Sequence, residues 1–189
     1  ALAKCVAAAM DWLDNDPKLF VGIITGAGGT FCSGMDLKGF LRGESPSVEG
    51  KGFGGVVQSP PAKPLIAAVE GYALAGGMEI AVACDLLVAN DKAQFGIPEV
   101  KRSLVAAAGG LLTLPSIIGK RMAMELALTG DFISAQRAYE MGFVNRVTDG
   151  AAIDAALELA AKVAANGPLA LIATKRVINE RPDWNSAEM

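Results

Sequence analysis

The chain has 189 residues, a formal net charge of −3, 52% hydrophobic residues and a mean hydropathy of +0.37, which supplies a buried core and excludes a disordered chain. It contains no histidine, which excludes Ser-His-Asp and Cys-His catalysis, HExxH zinc sites and a histidine general base. The basic residues are scattered and the uncharged runs are short, so we expect neither nucleic-acid nor membrane partners.

Hydrophobic periodicity predicts a single α/β domain in which pairs of strands alternate with helices. Helices are predicted at residues 2–13, 78–84, 111–118, 121–128, 135–141, 151–165 and 168–180. Strands are predicted at residues 20–25, 65–69, 86–89, 93–95 and 143–147. Asp36 is placed to cap a further short helix, residues 43–64 are predicted to be a surface loop with a helical turn at 53–58, and Gly167 is the predicted C-cap of the helix that ends at 165.

Three nucleotide-binding or catalytic motifs fail on inspection. The glycine run after the first predicted strand has Phe31 where a GxGxxG fingerprint needs glycine. A phosphate-binding P-loop is excluded by Met35 and Asp36, which stand where Lys and Ser/Thr are needed. Ser33 lacks the flanking glycine of a GxSxG nucleophile elbow, and no histidine exists to activate it.

Two small-residue loops remain, at residues 32–36 and 75–79, and each is predicted to follow a strand and open a helix. Backbone N–H groups at a helix start have no intrahelical partner, and two that converge on one point form an oxyanion hole. The alternative is that both loops are ordinary strand-to-helix turns, and the spacing alone favours this alternative.

Two glutamates, Glu79 and Glu99, lie in otherwise apolar stretches. Apolar surroundings disfavour the charged carboxylate and raise its pKa towards the range useful for proton transfer. The alternatives are that Glu79 only complements a helix dipole, and that Glu99 is exposed and pairs with Lys101 or Arg102. For each glutamate taken singly, the sequence pattern favours this alternative.

The three cysteines, Cys5, Cys32 and Cys84, are odd in number and show no CxxC spacing. This favours a reducing, cytoplasmic setting and argues against a disulfide framework or a zinc site. No metal ligand set is predicted.

Four segments together resemble the enoyl-CoA hydratase/isomerase (crotonase) superfamily. They are FCSGMDL at 31–37, IAAVEGYALAGGME at 66–79, ACD at 83–85 and AQFGIPE at 93–99, and segments at 123–130 and 133–145 resemble the same family. The resemblance implies a crotonase-like superhelix of ββα repeats with a core at residues 1–150 and a C-terminal helical segment at 151–189. It also implies that the family's first strands precede Ala1 and its last helices follow Met189, so that the active unit is incomplete.

The resemblance further implies an enoyl-CoA hydratase of fatty acid or related acyl-CoA metabolism, which adds water across the 2,3 double bond. It implies no metal or redox cofactor, an acyl-CoA thioester substrate, and a homotrimer or a hexamer built from two trimers. An isomerase, another enolate reaction on acyl-CoA, and a non-catalytic acyl-CoA-binding protein are the alternatives.

Site residues follow from the same resemblance. The backbone N–H groups of Met35 and Gly76 correspond to the oxyanion hole, while Glu79 and Glu99 correspond to the two glutamates that hold the water in the hydratases. The CoA moiety is expected along Ser33, Asp36, Leu37 and Lys38, with Lys38 near its phosphates. The sequence departs from many hydratases at Met35, where they have alanine, and at residues 105–108, where better-known members have a Gly-Pro-containing loop.

Overall fold

The structure is a computed structural model that describes residues 1–180. Its helices are α1 (Leu2–Asn15), α2 (Leu37–Leu41), α3 (Gly76–Val82), α4 (Gly110–Ile118), α5 (Lys120–Thr129), α6 (Ala135–Glu140), α7 (Ala152–Ala164) and α8 (Pro168–Glu180), and a 3₁₀ helix spans Pro98–Arg102. Its strands are β1 (Gly22–Thr25), β2 (Ser47–Val48), β3 (Gly52–Phe53), β4 (Leu65–Val69), β5 (Tyr72–Leu74), β6 (Leu86–Asn90), β7 (Gln94–Gly96), β8 (Ile133–Ser134) and β9 (Arg146–Thr148).

Two sheets form the frame of the fold. The first is parallel throughout, in the order β1-β4-β6-β9, and the second has the order β5-β7-β8 with β5 and β7 parallel. Strands β4 and β6 of the first sheet are each followed by a strand of the second sheet, and a helix follows each pair. The predicted repeat of strand, strand and helix is therefore confirmed.

Strand β4 lies at the centre of the core and is buried along its whole length. Because successive side chains of a strand point to opposite faces, its residues divide between two apolar clusters. Leu65 and Val69 pack with Met78 and Phe95 on one face, and Ile66 packs with helix α7 on the other. Because both faces of β4 are buried, its sequence is a continuous apolar run, without the alternation of apolar and polar residues that is typical of a half-exposed strand.

The helices occur close to where the periodicity predicts them, and Asp36 caps α2 by accepting a hydrogen bond from the backbone N–H of Lys38. Three local predictions are wrong. Strand β5 forms where no strand is predicted, and residues 53–58 form strand and turn instead of a helical turn. The C-cap of α7 is Ala165 in a right-handed helical conformation, and Gly167 lies beyond it.

Strands at the border of the first sheet also differ from expectation. Strand β1 begins at Gly22 and is half-buried, because β4 is its one neighbour among the described strands. The predicted strand at 143–147 appears as β9, which begins at Arg146, since Phe143 and Val144 are buried in the turn that precedes it.

The Lys175 side chain of helix α8 links this helix to the core. The Lys175 ammonium donates hydrogen bonds to the carbonyl oxygens of Pro61 and Lys63 and to the Asp85 carboxylate, at 2.8, 3.1 and 2.6 Å. Asp85 in turn accepts from the N–H of Leu65, so the helix is linked to the start of β4.

The predicted division at residue 150 falls just before α7 and stays a prediction, and residues 181–189 of the predicted C-terminal segment lie outside the described residues. Within residues 1–180 no single helix has the length and apolar character of a membrane span. Helices α7 and α8 reach that length and composition only as a pair, bent by 106°.

Candidate active site

The first small-residue loop runs alongside strand β5. The N–H of Cys32 donates to the carbonyl of Tyr72, and the N–H of Leu74 donates to the carbonyl of Cys32, both at 2.9 Å. Cys32 and Ala73 thereby form an isolated parallel bridge. This short pairing brings the loop at 32–36 next to the loop that opens α3.

Gly34 lies at a close approach between the two loops. A Cβ at this position would lie 2.9 Å from the Cβ of Ala75 and 3.4 Å from the backbone nitrogen of Gly76. Its φ of +99° is also a conformation that side-chain-bearing residues rarely adopt. Glycine is therefore required here both for space and for backbone conformation.

Ala75 has a positive φ of 52° with a ψ of −127°, which is unusual for a residue with a side chain. Such conformations cost about 1–3 kcal/mol and persist where the surroundings impose them. Here the N–H of Ala75 donates to the carbonyl of Gly96 on β7, at 2.9 Å. The strained residue directs the chain into α3, whose first N–H belongs to Gly76.

Met35 and Gly76 are the predicted oxyanion donors, and they lie on the two adjoining loops. Among residues 1–180, neither backbone N–H donates a hydrogen bond to another protein group. Gly76 begins α3, so its N–H also lies at the positive end of the helix dipole. The arrangement leaves both donors available to a ligand oxygen.

Glu79 lies in the first turn of α3 and is 3% exposed. Its Oε1 accepts hydrogen bonds from the backbone N–H groups of Ala108 and Gly110, at 2.8 and 3.0 Å. The Glu79 carboxylate is thus hydrogen-bonded to a separate segment, and it does more than complement the dipole of its own helix. Sequence reasoning missed Ala108 and Gly110, although the glycine pair before α4 was a signal for a close backbone approach.

Burial raises the pKa of Glu79, because desolvation penalises the charged form. The two hydrogen bonds from Gly110 and Ala108 act in the opposite direction and partly offset this effect. Glu79 is therefore a buried carboxyl group whose charged form still accepts two backbone hydrogen bonds.

Glu99 lies on the 3₁₀ helix, and its Oε2 is buried without a hydrogen-bond partner among the described residues. Its pKa is raised, first by burial and then by the negative charge of Glu79, while its own backbone N–H acts in the opposite direction. The expected partner Lys101 instead pairs with Asp131, at 2.6 Å. The exposed, ion-paired alternative for Glu99 is therefore wrong, and the two glutamates lie close enough to influence each other.

An apolar pocket of about 470 Å³ lies beside Glu99, between the 3₁₀ helix, α4 and α5. Its walls are formed by Ile97, Glu99, Val100, Val105, Ala106, Leu111, Leu114, Pro115, Lys120, Ala123, Met124, Ala127 and Leu128. Val105 and Ala106 belong to the segment that departs from the better-known hydratases. Glu79 does not line this pocket.

The predicted CoA-binding residues extend away from the paired loops. Ser33, Asp36, Leu37 and Lys38 are all exposed, and they lead from the first loop into α2. The Lys38 ammonium forms no ion pair within the described part of the chain. An exposed backbone with one unpaired cation is compatible with an anionic ligand, and the binding role of these residues stays a prediction.

Comparison with known proteins places this geometry in a family. The crystal structure of enoyl-CoA hydratase EchA1 from Mycobacterium marinum is 61% identical, covers 98% of this chain and 73% of its own, and superposes with a TM-score of 0.95. A mevalonyl-coenzyme A hydratase of Aspergillus fumigatus is 42% identical over 162 residues, 83% of this chain and 60% of its own length. An enoyl-CoA hydratase of Mycobacterium tuberculosis is 42% identical over 191 residues, which cover 95% of this chain and 70% of that protein.

The chain thus spans less than two thirds of the length of the Aspergillus relative. The structural similarity confirms the predicted crotonase-like α/β fold. The family model for enoyl-CoA hydratase/isomerase matches residues 2–188, which is nearly the whole chain. Overall structure and sequence agree, and the chain belongs to the enoyl-CoA hydratase/isomerase family.

Proposed function

We propose that the protein is an enoyl-CoA hydratase, a hydro-lyase that adds water across the 2,3 double bond of an enoyl-CoA thioester. The observation that carries the proposal is that the buried Glu79 accepts two backbone hydrogen bonds, while the buried Oε2 of Glu99 accepts none among the described residues. These two glutamates accompany two loops whose N–H groups, at Met35 and Gly76, are free to bind an oxygen atom. The names of the relatives, which include enoyl-CoA and mevalonyl-coenzyme A hydratases, support the same reaction class.

The two free N–H groups are proposed to bind the thioester carbonyl oxygen. Attack of water at C3 places negative charge on this oxygen in an enolate-like transition state. Fixed donors aimed at developing charge stabilise it without reorganisation, and loss of one such donor typically costs about 2.7–4 kcal/mol. The strain at Ala75 supports this role, because it holds the start of α3 in position before a ligand binds.

The different surroundings of the two carboxyl groups support different roles. Glu79 accepts two backbone hydrogen bonds, which favour its charged form, so it is proposed as the base that deprotonates water for attack at C3. The Oε2 of Glu99 has no such donor and faces the charge of Glu79, so its protonated form is proposed to deliver the proton to C2. One proton enters Glu79 and one leaves Glu99, and proton exchange with solvent then restores both groups.

The loop at 33–38 is proposed to bind the CoA portion, with the Lys38 ammonium near its phosphates. Because water, two carboxyl groups and backbone donors suffice for this chemistry, the proposal requires no metal or redox cofactor. The fatty acid or related acyl-CoA pathway remains part of the proposal. A reducing cytoplasmic setting is proposed on the basis of the free cysteines Cys5, Cys32 and Cys84.

Self-association is also proposed, as a homotrimer or a pair of trimers. Large apolar side chains are exposed on and beside α4 and α5, among them Val105 at 73%, Leu112 at 86% and Leu128 at 70%. Contiguous exposed apolar surface is typical of an interaction site.

The deciding experiment follows the loss of the conjugated-enoyl absorbance of crotonyl-CoA and of longer enoyl-CoA thioesters. We expect hydration of at least one of them and strong inhibition by a non-reactive acyl-CoA. Migration of the double bond in a 3-enoyl-CoA without water addition would instead support isomerisation. Tight acyl-CoA binding with no turnover of any enoyl substrate would support a binding protein.

A further inference from the structure

The aromatic ring of Phe53 lies directly against the start of α3. A Cβ built on Gly76 would collide with the ring atoms Cε1 and Cζ of Phe53, so the ring occupies the space beside the predicted oxyanion donor. Phe53 ends β3, which pairs with β2 in a two-stranded antiparallel ribbon. The residue is half-buried and packs against the main apolar cluster.

Four residues further along, Val57 reaches the loop that holds Glu79. Its Cγ1 lies 4.0 Å from the position of a Cβ on Gly109, the residue directly before Gly110. The segment at 53–57 therefore extends from the oxyanion donor to the N–H groups that bind the proposed base. In the proposed reaction the thioester oxygen lies at the first of these points, and Glu79, which holds the water that attacks C3, lies at the second, so C2 passes beside the segment.

The surroundings restrain this segment. The Lys51 ammonium forms an ion pair of 2.6 Å with Asp11 of α1, and the N–H of Gln58 donates to the carbonyl of Lys51, at 3.0 Å. Gly55 lies so close to α1 that a Cβ there would collide with the carbonyl oxygen of Ala3. Val56, between Gly55 and Val57, is fully buried. A ring held in this way cannot withdraw far to admit a bulkier ligand.

We infer that Phe53 is a specificity-determining residue that restricts the bulk of the acyl group at C2, so that the protein prefers straight-chain thioesters over those with a methyl branch at C2. The inference rests on the proposed function only for the position of the acyl carbons. The thioester oxygen at Gly76 places C2 within reach of the ring, and a methyl group there competes with the ring for space. An extra methyl group in a fitted pocket typically changes discrimination about 10- to 200-fold.

The first test uses binding, which does not depend on turnover. Dissociation constants for butanoyl-CoA and 2-methylbutanoyl-CoA are measured by calorimetry for the full chain and for its Phe53→Ala and Phe53→Leu variants. The preference for the straight chain is expected to fall about tenfold or more in Phe53→Ala and by less in Phe53→Leu. Phe20→Ala, which removes an exposed aromatic ring just before β1, is the matched control and should retain the parental preference.

The second test measures kcat/KM for crotonyl-CoA and for its 2-methyl-branched analogue in the same four proteins. The kcat/KM for the branched substrate, divided by the kcat/KM for the unbranched substrate, should rise about tenfold or more in Phe53→Ala.

Equal binding preferences in the parent and in both Phe53 variants would overturn the inference. A parent that already binds the branched thioester as well as the straight one would also overturn it. A parent that discriminates in binding but hydrates neither substrate would refute the proposed function and leave the role of Phe53 supported. Circular dichroism checks whether each variant is folded. If Phe53→Ala does not fold, the comparison of Phe53→Leu with the parent still tests the inference.

Discussion

The Oε1 of Glu79 accepts a hydrogen bond of 3.0 Å from the backbone N–H of Gly110, although 31 residues separate them. A Cβ on Gly110 would lie 2.8 Å from Cγ and 3.2 Å from Oε1 of the same glutamate. Gly110 therefore both donates to the carboxylate and leaves the space in which the glutamate side chain lies. The first turn of α4 thus positions the proposed base of α3.

Gly110→Ala should displace the Glu79 carboxylate, because the new methyl group requires the space of its Cγ. A misplacement of about 1 Å at a reacting group can lower the rate about 100-fold, and we expect a loss of kcat of that order. Acyl-CoA affinity should change little, since the proposed CoA contacts, at residues 33–38, lie elsewhere. Steady-state kinetics and calorimetry measure both. Gly167→Ala, whose new Cβ would meet nothing closer than 4.0 Å, is the control, and an equal loss in both variants would contradict the argument.

Glu79→Gln and Glu99→Gln should each reduce kcat by about 10²- to 10⁴-fold, the usual range for one general acid or base. The double variant should be little slower than the slower single variant, because groups that act as a unit have non-additive effects. Single-turnover kinetics of all three variants measure this. If the losses multiply, the two carboxyl groups act independently, and if Glu99→Gln hydrates at the parental rate, Glu99 has no role in proton transfer.

The raised pKa of Glu99 predicts a trend of stability with pH. Burial, followed by the charge of Glu79, raises this pKa above its ordinary value of 4.5, so above pH 4.5 the folded protein binds more protons than the unfolded chain. The contribution of Glu99 to the free energy of unfolding therefore falls as pH rises from 4.5 through the raised pKa. Glutamine does not titrate, so the Tm of Glu99→Gln relative to the parent should increase over this window.

Thermal unfolding of both proteins at a series of pH values from 4.5 to 8 measures that trend. Glu158→Gln, which replaces an exposed glutamate of α7, serves as the control and should show no comparable increase. A constant difference in Tm between Glu99→Gln and the parent would show that folding does not perturb this carboxyl group.

Leu112→Glu should weaken self-association, because it places a charge at the most exposed large apolar side chain of α4. Sedimentation velocity should show the parent as an oligomer and Leu112→Glu shifted towards smaller species. Leu2→Glu, an equally exposed leucine on α1, should retain the parental size. A monomeric parent would contradict the proposed assembly.

The long periodic elements of the fold could be predicted from sequence, since β4 and α7 carry their own apolar patterns. Strand β5 could not, because its three residues have no periodicity of their own and are extended by pairing with β7 and Cys32. The segment at 53–58 was equally ambiguous, since its conformation depends on packing against α1 and α3.

The candidate site was also predictable from the sequence only in part. Glu79 and Glu99 stand out in sequence as charges in apolar stretches, and in the structure the charge of Glu79 contributes to the raised pKa of Glu99. The N–H groups that bind Glu79 come from Ala108 and Gly110, 29 and 31 residues away, and backbone donors have no side-chain signature. Phe53 gave no signal either, because an aromatic residue in a glycine-rich loop does not reveal which backbone it covers.

The backbone at Ala75 has a consequence for how binding energy is distributed. A conformation that costs free energy is imposed during folding, when the hydrogen bond to Gly96 and the packing of α3 can offset it. A thioester that binds as proposed would meet donors that are already oriented, and its own contacts would not have to reshape them. In the proposed reaction, the interaction energy of the CoA moiety is then available to draw the reacting carbons towards the two glutamates.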